Sequence, residues 1–151
     1  MGRMRFRYLG DPVLTTPCQI VPLDDPELGT EIRFAIEALE DFHALGVAAP
    51  QIGSSKAFFV WDMHDRTGIH VAINPALYIS SFDLETDYEA CLSIEDPYLV
   101  PRYAAVILES QDLKGTTSRI RADGLQARLF QHECDHLAGK LIVDRASETT
   151  G

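Results

Sequence analysis

Two histidines four residues apart, His132 and His136, flank an acid in the stretch FQHECDHLAGKL. Side chains at i and i+4 lie on one face of a helix, so both imidazoles can converge on one ion. Leu125 and Leu129 fall on the same face, which predicts that the histidines point inward. A buried imidazole is costly unless its nitrogens find partners, and one divalent metal satisfies two of them. The spacing therefore favours a metal site over a helix with two buried core histidines.

A complete catalytic site of this kind has three protein ligands and a water. Glu133 follows the first histidine, where His-Glu-x-x-His sites carry a general base. Some endopeptidases follow the pattern His-Glu-x-x-His-x-x-Gly-x-x-His, in which the third histidine is a ligand. Ile142 occupies that position here and cannot bind metal, so an endopeptidase of that type is disfavoured. Asp144 and Glu148 fall in a short polar tail, where solvated charge is the expected role. Cys134 lies on a second apolar face and is expected to pack, so the third ligand is expected upstream.

The elements that position this helix follow from periodicity and turn residues. A first helix is expected to begin at Pro26, with Asp25 as its cap and Gly46 as its end. Strands are expected in the segments KAFFVWD, IHVAIN, ALYISS, YAAVILES and TSRIRA. The last helix is expected over about residues 124–138, with Gly139 as its stop signal. Helix, hairpin-connected strands and helix in this order predict an α+β fold.

Composition bounds the class of protein. A chain of 151 residues, 46% of them hydrophobic, suits a single catalytic domain over residues 1–151. The formal charge of −10 argues against nucleic acid as a partner. No apolar run has the length of a membrane span or a secretory signal, which favours a cytoplasmic protein, or an organelle interior if a targeting segment was removed. The odd cysteine count, three, suits a reducing compartment.

Three motifs in a fixed order resemble those of the peptide deformylases, metal hydrolases that remove the N-formyl group from newly made polypeptides. The family's GxGLAAPQ has its counterpart in ALGVAAPQ, residues 44–51, and its EGCLS in EACLS, residues 89–93. The third motif, QHExDHLxG, is intact over residues 131–139. Shorter matches are the GDPVL, INP and VPR segments. The resemblance spans nearly the whole chain.

The resemblance implies antiparallel β-sheets packed around a central helix that carries His-Glu-x-x-His, with an N-terminal helix. It also implies that Cys91 completes a metal site with His132 and His136. The ion would be Fe2+, with Zn2+, Ni2+ or Co2+ able to substitute. The substrate would be an N-formylmethionyl peptide, cleaved to formate and a free amine during N-terminal processing in protein biosynthesis.

Further roles are implied residue by residue. A metal-bound water would be the nucleophile, with Glu133 as general acid and base. Gln51 and the backbone of Leu92 would stabilise the oxyanion. Gly46 and Val47 would lie at the substrate, although Val47 is a mild departure, since it stands where the family has leucine. Glu89 and Arg102 match a pair that braces the loop carrying the cysteine in the family.

Departures from the family pattern keep a second hypothesis open. Ala44 and Ala90 stand where the family has glycines, and alanine is strained wherever positive φ is required. The alternative is therefore a catalytically weak paralogue that binds metal and peptide. The segment 94–97, which helps to line the substrate cleft in the family, also departs, so substrate preference is open. From the short acidic tail ASETTG we expect weak or no ribosome docking, and we expect a monomer without a membrane partner.

Overall fold

A computed structural model describes residues 4–147, which form three α-helices and five strands. The helices are α1 (Leu28–Phe42), α2 (Gly124–Leu137) and α3 (Ile142–Arg145), and the strands are β1 (Gly46–Ala48), β2 (Phe58–Trp61), β3 (His70–Cys91), β4 (Ile94–Gln111) and β5 (Thr117–Asp123). Short 3-10 helices span Pro12–Thr15 and Ala49–Ile52. The end of the polar tail, including Glu148, lies outside the described residues. Within residues 4–147, no helix has the length and apolarity needed to cross a membrane.

The five strands form one antiparallel sheet in the order β1-β2-β3-β4-β5, so each strand pairs with its neighbours in the chain. The predicted α+β class is confirmed, with one sheet where several were expected. The predicted IHVAIN and ALYISS strands are parts of one long strand, β3. Four register shifts interrupt its pairing with β4, and β-bulges of this kind bend a strand and increase its twist. The end of β3 and the turn that leads into β4 carry the second sequence motif.

Helix α1 differs from its prediction at both ends. It begins at Leu28, while the Asp25 carboxylate accepts a hydrogen bond from the Glu27 N–H at 2.9 Å, ahead of the first turn. It ends before His43, which adopts the left-handed conformation with φ 51°. Gly46 was expected to stop this helix but instead begins β1, because the left-handed residue occurs three positions earlier. One face of α1 packs on β1 and β2 in the core.

Helix α2 packs against the sheet and coincides closely with the predicted last helix. Ala127 and Phe130 are fully buried against Phe59 and neighbouring core side chains. Gly139 stops the helix as expected: its φ is 76°, and a Cβ there would lie 2.7 Å from the Thr15 carbonyl oxygen. Leu125, expected on an inward stripe, is 58% exposed instead, because the first turn of α2 borders an open cleft.

Candidate metal centre

Three potential ligand atoms meet between α2 and the end of the β3–β4 hairpin. Among residues 4–147, the sulfur of Cys91 and one nitrogen each of His132 and His136 lie within 4.8 Å of one another. The His136 Nε2 atom is 3.5 Å from the Cys91 sulfur and 3.2 Å from the His132 Nε2 atom. The structure thus brings together the three residues that the resemblance named as ligands.

The two sides of this centre are built differently. On α2, one helical turn places His132 and His136 on the same face. On the hairpin, Cys91 is the last residue of β3 and pairs directly with Ile94, the first residue of β4. The tight turn between them directs the cysteine toward the helix, although it is 45 residues from His136 in the chain.

The carboxylate of Glu89 orients His132. Its Oε1 atom is 2.9 Å from the His132 Nδ1 atom, which therefore acts as the donor and leaves Nε2 to face the other two ligand atoms. Arg102 donates to both carboxylate oxygens, at 2.8 and 3.0 Å. Although burial opposes it, these hydrogen bonds from His132 and Arg102 lower the pKa of Glu89 to about 2. The carboxylate therefore stays ionised while almost fully buried.

Sequence reasoning missed Arg128, a second guanidinium on the same carboxylate. Its Nη1 atom donates to the Glu89 Oε2 atom at 2.7 Å and to the Val100 carbonyl at 2.8 Å, and its Nη2 atom donates to the Glu85 carbonyl at 2.7 Å. Arg128 therefore ties α2 to both strands of the hairpin. The available signal was its position one helical turn before His132, on the face expected to hold the ligands.

Glu133 lies at the floor of the cleft and is 2% exposed. Burial raises its pKa to about 7, and its Oε1 atom has no hydrogen-bond partner among the described residues. A Cβ at Gly46 would lie only 2.7 Å from the Glu133 Oε2 atom. The glycine is therefore needed for the carboxylate to occupy this place, a constraint that the sequence did not reveal.

Gln51, in the 3-10 helix Ala49–Ile52, is buried next to Cys91. Its Oε1 atom accepts from the Ala48 N–H at 2.9 Å, which fixes the orientation of the amide. Its Nε2 atom donates to the Ser93 hydroxyl at 3.2 Å and is 3.7 Å from the Cys91 sulfur. Ser93, which sequence reasoning also missed, in turn donates to the Arg7 carbonyl at 2.8 Å.

An open cleft of about 600 Å³ leads to these groups. Its mostly apolar walls include Leu45, Gly46, Tyr88, Leu92, Leu125 and Leu129. Val47, in contrast, is fully buried in the core beside α1 and does not line the cleft. Cys134 packs against the core cluster that contains Phe130 and does not line the cleft.

The donor set fits a divalent transition metal. Burial and the neighbouring charge of His132 hold the pKa of His136 well below its usual range, so His136 is neutral. A buried thiol and two imidazoles with facing nitrogens leave several lone pairs directed at one point, which a cation satisfies. Burial lowers the pKa of His132, but hydrogen bonds with Cys91 and Glu89 outweigh it and raise the pKa to about 10. An ion would therefore bind in competition with protons.

Comparisons with known proteins agree with this geometry. A model of the polypeptide deformylase family matches residues 4–150. A peptide deformylase of Dictyoglomus thermophilum is 41% identical over 146 residues, which cover 96% of this chain and 94% of that protein. The crystal structure of the Thermotoga maritima peptide deformylase is 36% identical with a TM-score of 0.88, covering 97% of this chain and 99% of that one. The Synechococcus elongatus peptide deformylase in complex with actinonin is 39% identical with a TM-score of 0.89, covering 97% and 82%.

Proposed function

The chain belongs to the polypeptide deformylase family, and we propose that its single domain cleaves N-formylmethionyl peptides to formate and a free amine, with Glu133 as general acid and base. The observation that carries this proposal is the convergence of a thiol and two imidazoles beside a buried carboxylate whose Oε1 atom has no hydrogen-bond partner among the described residues. The cleft above them, about 600 Å³ in volume and mostly apolar, has the size and lining of a ligand site.

The enzyme is metal-dependent, and we propose Fe2+ as the ion, with Zn2+, Ni2+ or Co2+ able to replace it. Cys91, His132 and His136 would hold the ion, which when bound acidifies a water molecule and polarises the formyl carbonyl. Ligand type alone allows each of these metals, since thiolate and imidazole suit them all. Anaerobic purification followed by elemental analysis would identify the native ion.

Glu133 would hold the proton during the reaction. Its free Oε1 atom can accept a proton from the attacking water and later return it to the departing amine. Its raised pKa of about 7 suits both tasks near neutral pH. Because Gly46 has no side chain, the Glu133 carboxylate can lie against β1 at the floor of the cleft.

Gln51 and the backbone N–H of Leu92 would donate hydrogen bonds to the oxygen that becomes negative as the formyl carbon turns tetrahedral. The contact between Gln51 Oε1 and the Ala48 N–H supports this role, because it holds the amide nitrogen toward Cys91 and the centre. The apolar walls at Leu125 and Leu129 would receive the methionine side chain.

The alternative of a catalytically weak paralogue is not favoured. It depended on strain at Ala44 and Ala90, but neither residue has a positive φ. The left-handed position near the first motif is His43 instead, with φ 51°. The hairpin next to Cys91 therefore accepts alanine without a left-handed backbone.

The decisive assay is formate release from formyl-Met-Ala by protein loaded with Fe2+, Ni2+ or Co2+. The wild type should turn over, whereas Glu133→Gln should lose about 10²- to 10⁴-fold in kcat, because the amide keeps the shape of the side chain but cannot carry the proton. Folded, metal-loaded wild type that releases no formate would contradict the proposal.

We also propose a monomer in a reducing, cytosol-like compartment that binds ribosomes weakly or not at all. The three free cysteines support such a compartment, and the net charge of −10 opposes contact with ribosomal RNA. Saturable co-sedimentation with ribosomes at physiological salt would contradict the last point.

A further inference from the structure

A bulge in β4 lies beside the proposed ligand Cys91. Glu89 pairs with Tyr98 and Cys91 pairs with Ile94. Between these two pairs, β3 has one residue, Ala90, and β4 has three, residues 95–97. These three residues are all exposed. Such bulges redirect side chains and are frequent beside active sites. Here the bulge directs Glu95 toward the cleft, whereas Asp96 does not line it.

No neighbour in the described part of the chain balances the charge of Glu95. Among residues 4–147, its exposed carboxylate has no ion pair or hydrogen bond. The other charges of the cleft wall are accounted for, since Arg128 pairs with Glu89 and Glu133 is buried at the floor. Within the described part of the chain, Glu95 is therefore the one exposed, unpaired charge that lines the cleft.

We propose that Glu95 gives the enzyme a preference for formylated peptides with a lysine or arginine shortly after the first residue. This inference rests on the proposed function, which places the formyl group at the metal and the first side chain against the apolar wall. The following residues must then leave the cleft past its rim, where Glu95 is. A cation there gains an ion pair, and an anion meets like charge.

The test compares kcat/KM for formyl-Met-Ala-Lys, formyl-Met-Ala-Gln and formyl-Met-Ala-Glu. In low salt we expect kcat/KM for the lysine peptide to exceed that for the glutamate peptide by roughly three- to tenfold, because Glu95 attracts one charge and repels the other at an exposed site. At about 0.5 M salt, screening should reduce the ratio to less than about twofold. Glu95→Gln should reduce it to a similar value in low salt.

Asp96→Asn is the matched control. It removes an identical charge from the next residue, whose side chain does not line the cleft. It should keep the preference of the wild type. Equal turnover of the lysine and glutamate peptides by the wild type would overturn the inference. An equal loss of preference in both variants would also overturn it, because the overall charge of the protein would then be the cause. Turnover of the neutral glutamine peptide separates the two proposals: its absence contradicts deformylation itself, and its presence without a charge preference contradicts only the role of Glu95.

Discussion

The two sides of the candidate metal centre reach the same point by different routes. On α2, His132, Glu133 and His136 are placed by one helical turn, which depends only on local backbone geometry. On the hairpin, Cys91 is placed by strand pairing and by the charges around Glu89. The helix side can be assembled from a short stretch of sequence, but the hairpin side requires the folded sheet. The hairpin is therefore where substitutions should reveal long-range dependence.

Loss of the hairpin ligand should have the largest effect. Cys91→Ala removes one of the three converging donors. Loss of a residue that only hydrogen-bonds to a ligand lowers metal affinity by up to about 100-fold, so loss of a ligand itself should lower it by more. Formate release should fall with it. Metal content after gel filtration and the formate assay would measure both.

The matched control is Cys134→Ala on α2, which removes a thiol adjacent in sequence to the helix ligands but packed in the core. It should keep its metal and its activity, with a loss of stability only. Equal metal loss in the two variants would mean that the hairpin does not supply the ligand.

The next largest effect concerns the contact between β1 and the helix side. Gly46→Ala would place a Cβ 2.7 Å from the Glu133 Oε2 atom and displace the carboxylate. We expect kcat to fall about 100-fold, because a displacement near 1 Å in catalytic geometry can cost that much. Metal content should be unchanged, since the ligands are not touched. Gly29→Ala is the control, because its Cβ would meet none of residues 4–147 within 4 Å.

What the sequence could predict follows the same division. The 3.6-residue period placed α2 and its histidines, and the failure of Ile142 as a ligand pointed upstream. Periodicity could not identify Cys91, because strand pairing joins it to the helix across 45 residues; only the family resemblance named it. Arg128 was missed because an arginine on a helix is expected to be a solvated charge unless its partners are known. Gly46 was misread as a helix stop because the left-handed turn is made by His43.

Glu89→Gln on the hairpin side should have an effect of intermediate size on metal affinity. The amide keeps the shape of the side chain but removes the charge that Arg102, Arg128 and His132 share. Metal affinity should fall about 10- to 100-fold, as is typical for loss of an outer-shell carboxylate, while activity at saturating metal should be largely retained. Competition with a chelator would measure the affinity. Glu109→Gln, which breaks only the exposed pair with Arg119, should change neither.

The smallest effect is expected at Ala90, although it lies next to Cys91 in the hairpin. Its backbone does not have a positive φ, so Ala90→Gly relieves no strain and should change kcat and metal affinity by less than about twofold. It should instead lower the free energy of unfolding by about 0.5–1 kcal/mol, because glycine loses more backbone entropy on folding. Urea denaturation and the formate assay would measure the two quantities. A large gain in activity would mean that the hairpin is strained at this residue, and would revive the weakly active paralogue as the better description of the protein.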